Sequence, residues 1–251
     1  MAILDQIVLF LDEELKTSKI PDYSGAHNGL QLQNGGQVTK VASAVDASLP
    51  VFEKAIESGA DLLLVHHGMF WQGGRAITGP AYRKLKMAMD AGLAVYSSHI
   101  PLDVHATLGN NALLMQALEL GETTQFFEWK GIKLGRRGHF FGKLGELVNR
   151  LESVLGGKVH VRGDLEKPAG IVGMITGGAG SEVEAMAEEG IETFITGEGP
   201  HWSYPLAEEL EINVIYGGHY ATETLGVQAL GRSISQEFGV PHEFIDHPTG
   251  L

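Results

Sequence analysis

Two adjacent histidines, His66 and His67, end an apolar run and have the side chains to bind metal ions. The run Leu62-Leu63-Leu64-Val65 is bounded by glycines and predicts a buried strand of a parallel sheet. Ligands of open α/β sheets bind just beyond the carboxyl ends of such strands. Because neighbouring side chains of an extended segment point to opposite sides, each histidine would serve a separate ion. One packed and one solvated histidine is an equally good interpretation of this pair alone.

A further histidine, His219, ends the apolar run that begins at Val214, and Glu223 follows four residues later. The apolar residues beyond Glu223 recur at helical spacing, so the sequence predicts a helix in which His219 and Glu223 share a face. A single pair of this kind is most often an exposed surface pair.

His99 ends a third apolar run in the same way, and Asp103 follows four residues later. Pro101 lies between them and argues against a helix at this point, so the sequence predicts that Asp103 lies on a loop. Three strand ends that each carry a histidine are harder to explain as surface pairs, and together they favour a metal site.

Five side chains from these segments would suffice for two metal ions. They are His66, His67, Asp103, His219 and Glu223. Imidazole nitrogen and carboxylate oxygen suit Zn, Mn, Fe or Ni, and the chain has no Cys to offer a thiolate. Two ions about 3.5–4 Å apart need a bridging group, which a carboxylate provides. Each ion would then keep open positions for water or substrate, as reactive metal sites do.

Two other histidines are candidates for catalytic roles. His201 follows Gly197-Glu198-Gly199 and would act as a general acid or base, or donate a hydrogen bond to a ligand. His99 lies close to Asp103 in sequence and is interpreted as a residue that contacts the ligands rather than an ion. The glycine-rich segment 176–181 precedes a helix, and we favour a tight turn there over a phosphate cradle, because it lacks the Gly-Lys-Ser/Thr ending of a P-loop.

The composition is that of a globular protein and excludes several functional classes. Of the 251 residues, 43% are hydrophobic and 20% are charged. The formal net charge of −13 disfavours duplex nucleic acid as a partner, although bound cations would let the site accept a small anionic substrate. The basic segment 133–137 is explained equally well as a solvated strand end. No apolar run reaches about 18 residues and no signal peptide is recognised, so we expect no membrane span and a cytoplasmic location.

Alternating strands and helices predict an α/β fold with one or more largely parallel sheets. Residues 41–68 align without gaps onto 172–199, and the segment with His99 and Asp103 aligns onto that with His219 and Glu223 at an offset of 120. We therefore expect two similar α/β halves, 1–125 and 126–251, related by pseudo-two-fold symmetry with the dinuclear metal site at their interface. The boundary near 125 is approximate, and C-terminal elements can pack back on the first half.

The combined motifs resemble one known family. The motifs are His66-His67-Gly68, His99-x-Pro101-Leu102-Asp103-x-His105, Thr196-Gly197-Glu198 with His201, Gly218-His219-x-x-x-Glu223 and Asn28-Gly29-Leu30-Gln31. They are similar to those of the Nif-three-like family, also called GTP cyclohydrolase 1 type 2, in a short form without the inserted middle domain. One departure is Gly25-Ala26-His27-Asn28, where the family usually has an acidic-Asn stretch.

The resemblance carries expectations about the site and the assembly. It implies two similar α/β halves, a toroidal homohexamer and a dinuclear centre whose ligands are those five side chains, with Glu223 as the bridge. It also implies GTP ring opening with formate release, although no guanine-reading set of residues is recognisable. The first hypothesis is therefore a dinuclear metal-dependent hydrolase that acts on GTP or a related nucleotide. The alternative is a non-catalytic metal-handling or scaffold protein that acts through a ring-shaped oligomer.

Overall fold

The structure is a computed structural model that describes residues 1–250, in which we find thirteen strands and ten α-helices. The strands are β1 (Ala2–Ile3), β2 (Gly29–Leu32), β3 (Gln37–Val38), β4 (Val41–Asp46), β5 (Leu62–His67), β6 (Ala94–Ser97), β7 (Thr124–Trp129), β8 (Ile132–Lys143), β9 (His160–Arg162), β10 (Pro168–Met174), β11 (Thr193–Thr196), β12 (Asn213–Tyr216) and β13 (His242–Phe244). The helices are α1 (Leu4–Leu15), α2 (Leu49–Glu57), α3 (Gly79–Ala91), α4 (Ile100–Asp103), α5 (Asn110–Ala117), α6 (Leu144–Leu155), α7 (Val183–Glu188), α8 (Ser203–Glu209), α9 (His219–Thr222) and α10 (Thr224–Phe238). None of these helices is both long and apolar enough to cross a membrane.

The chain divides into two compact units, and each is discontinuous in sequence. The first unit comprises Met1–Leu102 and Gly226–His247, and the second comprises Asp103–Leu225 with the residues from Pro248 onward. These boundaries differ from the single one expected near residue 125. The segment after residue 102 belongs to the second unit because α5 buries Leu114 and Met115 in the same core as α6. The C-terminal elements belong to the first unit because β13 pairs in parallel with β4.

The first unit is built on a five-stranded sheet in the order β13-β4-β5-β6-β2. The first four strands are parallel, and β2 is an antiparallel edge strand. The predicted strand at Leu62–Val65 is confirmed, since β5 is buried along this run, as a central strand of a parallel sheet must be. Strand β2 was not predicted, because the alternation of Leu30, Gln31 and Leu32 is too short to identify a strand.

The second unit is built on a six-stranded mixed sheet in the order β7-β8-β10-β11-β12-β9. Only the three strands β10, β11 and β12 are parallel, so the expectation of a largely parallel sheet holds for the first unit but not for this one. The reason is local. Strands β7 and β8 are joined by the two residues Lys130 and Gly131, both with positive φ, and so tight a turn joins antiparallel strands only.

Both units contain the same core of three adjacent parallel strands. In each, the third strand also pairs with an antiparallel strand that precedes the core in sequence, β2 in the first unit and β9 in the second. The first two core strands pair in the same register in both units. Val41 lies opposite Leu62 in the first unit, and the residues 131 positions later, Val172 and Thr193, lie opposite each other in the second. In the third core strands, the residue equivalent to Ala94 by its pairing is Asn213, which lies 119 positions later rather than the expected 120.

Candidate metal centre

The first unit brings three histidines together at the carboxyl ends of β5 and β6. The ring centroids of His66 and His67 lie 4.8 Å apart, and that of His99 lies 4.9 Å from His66 and 5.7 Å from His67. One ring nitrogen of each lies within 4.8 Å of the others. The expected separation of His66 and His67 on opposite sides is not observed, although both residues belong to β5. We call these three residues the histidine cluster.

All three rings of the histidine cluster are held through the same nitrogen. Each Nδ1–H donates to an oxygen: His66 to the Ser98 carbonyl at 2.9 Å, His67 to Asp46 Oδ1 at 2.8 Å and His99 to Asp22 Oδ1 at 2.8 Å. An acceptor at Nδ1 places the proton of a neutral imidazole there and leaves the lone pair on Nε2. This arrangement, in which an outer oxygen fixes the tautomer and orientation, is typical of metal-binding histidines.

The carboxylate of Asp22 holds the ring of His99 and the backbone of the next residue, Ile100. Besides the ring, it accepts hydrogen bonds from Ile100 N at 2.9 Å and from Asn28 Nδ2 at 2.8 Å. Burial alone would raise the pKa of Asp22, but the hydrogen bonds from His99 and Asn28 lower it below the usual value. Asp22 is therefore ionised at neutral pH and keeps the His99 proton on Nδ1. Asn28 also accepts from His99 N at 2.8 Å, which gives this motif residue a positioning role.

Gly68 and Gln31 fix the chain where it leaves β5. Gln31 Oε1 accepts a hydrogen bond from Met69 N at 2.7 Å, and its Nε2 donates to the His27 carbonyl at 2.9 Å. A Cβ at Gly68 would lie 2.2 Å from Gln31 Nε2. Glycine at position 68 therefore leaves room for the side chain that holds the loop beside the histidine cluster.

The second unit brings together Asp103, His219 and Glu223, which we call the carboxylate cluster. The i, i+4 pair predicted from the sequence forms, with His219 Nε2 3.2 Å from Glu223 Oε2. One carboxylate oxygen of Asp103 lies within 4.8 Å of one of Glu223. Both carboxylates are buried, with 6% and 2% of the residue exposed, so this is no surface pair. Two buried anions need cationic or hydrogen-bonding partners, which suits a cation site.

His219 is held by the same device as the histidine cluster. Its Nδ1 donates to Glu198 Oε1 at 2.7 Å, which directs Nε2 toward Glu223. Burial alone would lower the pKa of His219, but the hydrogen bonds and charges of Glu223 and Glu198 raise it to about 9. A metal ion at Nε2 therefore competes with a proton.

Asp103 is the last residue of the short helix α4, so the expectation that it lies on a loop was wrong. Pro101 is tolerated because the first turn of a helix leaves its N–H groups without intrahelical acceptors. The carboxylate of Asp103 accepts a hydrogen bond from Asn110 Nδ2 at 2.8 Å. Asn111 Nδ2 donates to the Asp103 carbonyl at 3.3 Å, so α5 fixes both the backbone and the side chain of this residue.

The glycine-rich segment 176–181 packs against the carboxylate cluster. A Cβ on Gly177 would lie 2.2 Å from Glu223 Oε1 and 3.3 Å from His219 Nε2. The backbone amides of this segment donate to acceptors within the protein. Gly177 N donates to Thr222 Oγ1 at 3.1 Å, and Ala179 N donates to Thr196 Oγ1 at 3.1 Å. Gly180 N donates to the Glu198 carbonyl at 3.0 Å. These contacts favour the tight turn over the phosphate cradle, and they explain why the turn needs a small residue beside Glu223.

His201 lies apart from this network. Its side chain is exposed, and its ring packs against that of Tyr204 with 6.4 Å between centroids. Within residues 1–250 it forms no hydrogen bond to the carboxylate cluster. Its role as a general acid or base stays a prediction.

Three carboxylates that hold the rings were missed in the sequence. They are Asp22, Asp46 and Glu198. Two of them share a signal, since Asp46 precedes His67, and Glu198 precedes His219, by the same 21 positions. Each carboxylate follows or ends one parallel strand, and its histidine stands at the end of the next. Asp22 lies 77 positions before His99, and no pattern in the sequence connects them.

Removing the charge of Glu198 tests the ring-holding role. We expect Glu198→Gln to keep an oxygen acceptor for His219 Nδ1 but to weaken metal binding roughly 10- to 100-fold, because a neutral amide makes the imidazole a poorer ligand. Competition with a chelator measures the affinity. Glu189→Gln, at an exposed residue that pairs with Arg137, should leave the affinity unchanged. Equal affinities of the Glu198→Gln variant and the unmodified protein would rule out this role.

Comparisons with known proteins agree with the resemblance found in the sequence motifs. The profile of the Duf34/NIF3 (NGG1p interacting factor 3) family matches residues 2–250. A protein of Deinococcus radiodurans named GTP cyclohydrolase 1 type 2 homolog is 42% identical over 250 residues, which cover 98% of this chain and 94% of that protein.

Two solved structures are similar along their whole length. A structure described as protein ybgI, of unknown function, aligns with a TM-score of 0.90 and 32% identity over 100% of both chains. The crystal structure of TTHA1606 from Thermus thermophilus aligns with a TM-score of 0.87 and 36% identity, again over 100% of both chains. The mixed α/β fold described above is therefore the fold of these proteins.

Proposed function

We propose, because this chain belongs to the Duf34/NIF3 family and carries the two clusters described above, that it is a dinuclear metal-dependent hydrolase. In this proposal the units are related copies with pseudo-two-fold symmetry, and both contribute ligands to one centre. The proposed ligands are His66, His67, Asp103, His219 and Glu223, with Glu223 as the bridge. The ions are divalent, and Zn, Mn, Fe and Ni all suit these donors.

One observation carries the proposal: all four histidines of the two clusters donate Nδ1–H to an oxygen. The Nε2 atoms of all four rings are thereby directed before any ion arrives, and at His219 an ion would displace the proton that Glu223 favours. Packing alone requires no common tautomer, whereas metal binding requires a deprotonated nitrogen in a fixed direction. Nitrogen and carboxylate oxygen without thiolate are the donors that such ions accept in hydrolases.

The residues around the ligands divide the remaining work. Two bound ions would supply Lewis acidity and an activated water molecule at neutral pH. His99, backed by the ionised carboxylate of Asp22, offers Nε2 beside His66 and His67, either as a further ligand or as a group that handles protons. His201, three residues after Glu198, is the second candidate for proton transfer.

We infer that the substrate is a purine nucleotide, opened in the manner of a GTP cyclohydrolase. The name of the Deinococcus radiodurans relative supports this assignment. A nucleotide is a small anion, and bound cations would offset the net charge of −13 near the site. Hydrolysis would open the imidazole moiety with one water molecule, and a second water molecule would cleave the resulting formamide and release formate, which gives the activity a specific product.

Formate release from GTP is the test of this function. The protein reconstituted with each candidate metal should release formate, and Glu223→Ala should release none. Metal-dependent release that is absent in the variant would establish a cyclohydrolase. No release by a sample that holds two ions per chain would exclude GTP as substrate and favour the alternative, a metal-handling or scaffold protein that acts through a ring-shaped oligomer. The homohexamer and the cytoplasmic location stay predictions, and light scattering measures the first.

A further inference from the structure

A cavity of about 300 Å³ in the second unit surrounds the guanidinium of Arg136. It is bounded by the loop that follows Asp103, by one face of α5 and by residues 119–123. Arg136 Nη1 donates to Thr123 Oγ1 at 3.1 Å, and Nη2 donates to the Ala106 carbonyl at 2.9 Å. The five N–H groups of a guanidinium are thus only partly used, and both acceptors are neutral.

The charge of Arg136 has no counter-charge in the part of the chain that the structure describes. No carboxylate of residues 1–250 lies within 4.0 Å of it, although the protein carries a net charge of −13. Glu119 also lines the cavity, but its Oε2 pairs with Arg150 Nη1 at 2.9 Å. Burial lowers the pKa of Arg136, which nevertheless stays a cation because guanidinium is so strong a base. A half-buried cation without a partner is costly and is therefore expected to meet an anion.

The next residue along β8, Arg137, shows what a structural arginine looks like here. It is similarly half-buried, and its Nη1 lies 3.6 Å from the carboxylate of Glu189. Two neighbouring arginines on one strand thus differ in one respect: Arg137 has a carboxylate partner and Arg136 has a cavity. A strand end that is merely solvated does not explain this difference.

We propose that this cavity binds a phosphoryl group, either free or carried by a small metabolite, with Arg136 as its main contact. Arginine forms paired, charge-assisted hydrogen bonds with phosphate oxygens. The remaining polar lining suits a tetrahedral anion, because the hydroxyls of Thr107 and Thr123 and the amide of Gln116 can all donate. The volume lies at the lower end for ligand sites, which limits the group that carries the phosphate to a small one.

None of the five proposed metal ligands lines this cavity, so the site is an addition to the proposed function. It is nevertheless connected to one ligand through α5. Ala112, Met115 and Gln116 line the cavity, while Asn110 of the same helix donates to the carboxylate of Asp103. An anion bound here would order the segment that positions Asp103.

Titration with inorganic phosphate tests the proposal. We expect a saturable rise in the thermal midpoint of the full-length protein, at ionic strength held constant with chloride, both metal-loaded and after chelation. Arg136→Gln should weaken the binding at least about tenfold, because charge-assisted hydrogen bonds to the ligand are lost. The matched variant Arg137→Gln should bind phosphate as the unmodified protein does.

Several results would overturn the proposal. One is equal binding by the Arg136→Gln variant, and another is binding that disappears after chelation, which would place phosphate on the metal ions. Equal binding of acetate would show that the site recognises charge but not a phosphoryl group. Titration with glycerol phosphate shows whether the natural ligand is free phosphate or a small phosphorylated metabolite. Tighter binding than that of inorganic phosphate indicates a phosphorylated metabolite, and weaker binding indicates free phosphate. If Arg136→Gln fails to fold, Arg136→Lys replaces it as the test. This variant keeps the positive charge, and we expect its affinity for phosphate to be several-fold lower than that of the unmodified protein.

Discussion

The Glu223→Ala variant is expected to bind one metal ion per chain or none, where the unmodified protein binds two, and to lose metal-dependent turnover. Glu223 is 2% exposed and its carboxylate lies 3.2 Å from His219 Nε2, and alanine would remove both oxygens of the proposed bridge. The fold should persist, because Glu223 lies at the junction of α9 and α10 and the buried apolar side chains of both units are unchanged. Elemental analysis after dialysis measures the ions, and far-UV circular dichroism measures the fold.

A matched substitution separates this effect from the loss of any glutamate. Glu237 lies in the same helical segment, in α10, and is exposed. Glu237→Ala should keep both ions and full turnover. Two ions retained by Glu223→Ala would contradict its assignment as the bridge, whatever the turnover.

The second large effect is expected from a single methyl group at Gly177. Alanine there would place Cβ 2.2 Å from Glu223 Oε1, at a residue whose φ is +73°. The backbone conformation alone costs an L-residue about 1–2 kcal/mol. The collision adds about 1–3 kcal/mol to the loss of unfolding free energy, as overpacking does, and it moves the carboxylate. We therefore expect Gly177→Ala to lower both the unfolding free energy and the metal content.

Gly156 provides the control for this substitution. It ends α6 with a φ of +71°, almost the same as Gly177, but a Cβ there would meet nothing within 4 Å. Gly156→Ala should lose only the conformational contribution and should bind metal normally. Urea unfolding and metal analysis of both variants give the comparison. If the two variants behave alike, the packing of Gly177 against Glu223 is not what requires glycine.

The sequence predicted the strand ends that carry the histidines because the signal is local. An apolar run that ends in histidine marks a buried strand and its carboxyl end together, as at His66, His99 and His219. The i, i+4 spacing of His219 and Glu223 was confirmed for the same reason. Local rules also failed where a second rule competed, since Pro101 was read as excluding a helix although it fits the first turn of α4.

The partners of the histidines could not be predicted because sheet formation determines them. Asp22 reaches His99 across 77 positions, and Asn28 reaches it across 71. The exact division into units could not be placed for a similar reason, although a return of C-terminal elements to the first half was allowed for. Nothing in the sequence near residue 242 indicates that β13 pairs with β4, because parallel strands need no common turn and three residues are too few for a pattern.

The pairing of β13 with β4 has a consequence for synthesis on the ribosome. Val41 and His242 are neighbours in the sheet but lie about 200 positions apart in the chain, so this ladder closes a long loop and forms slowly. Residues 103–225 emerge earlier and can form nearly all of the second unit first. Until residues 242–244 leave the exit tunnel, β4 is an open edge that another nascent chain can pair with. The first unit is therefore the one whose sheet is completed last during synthesis.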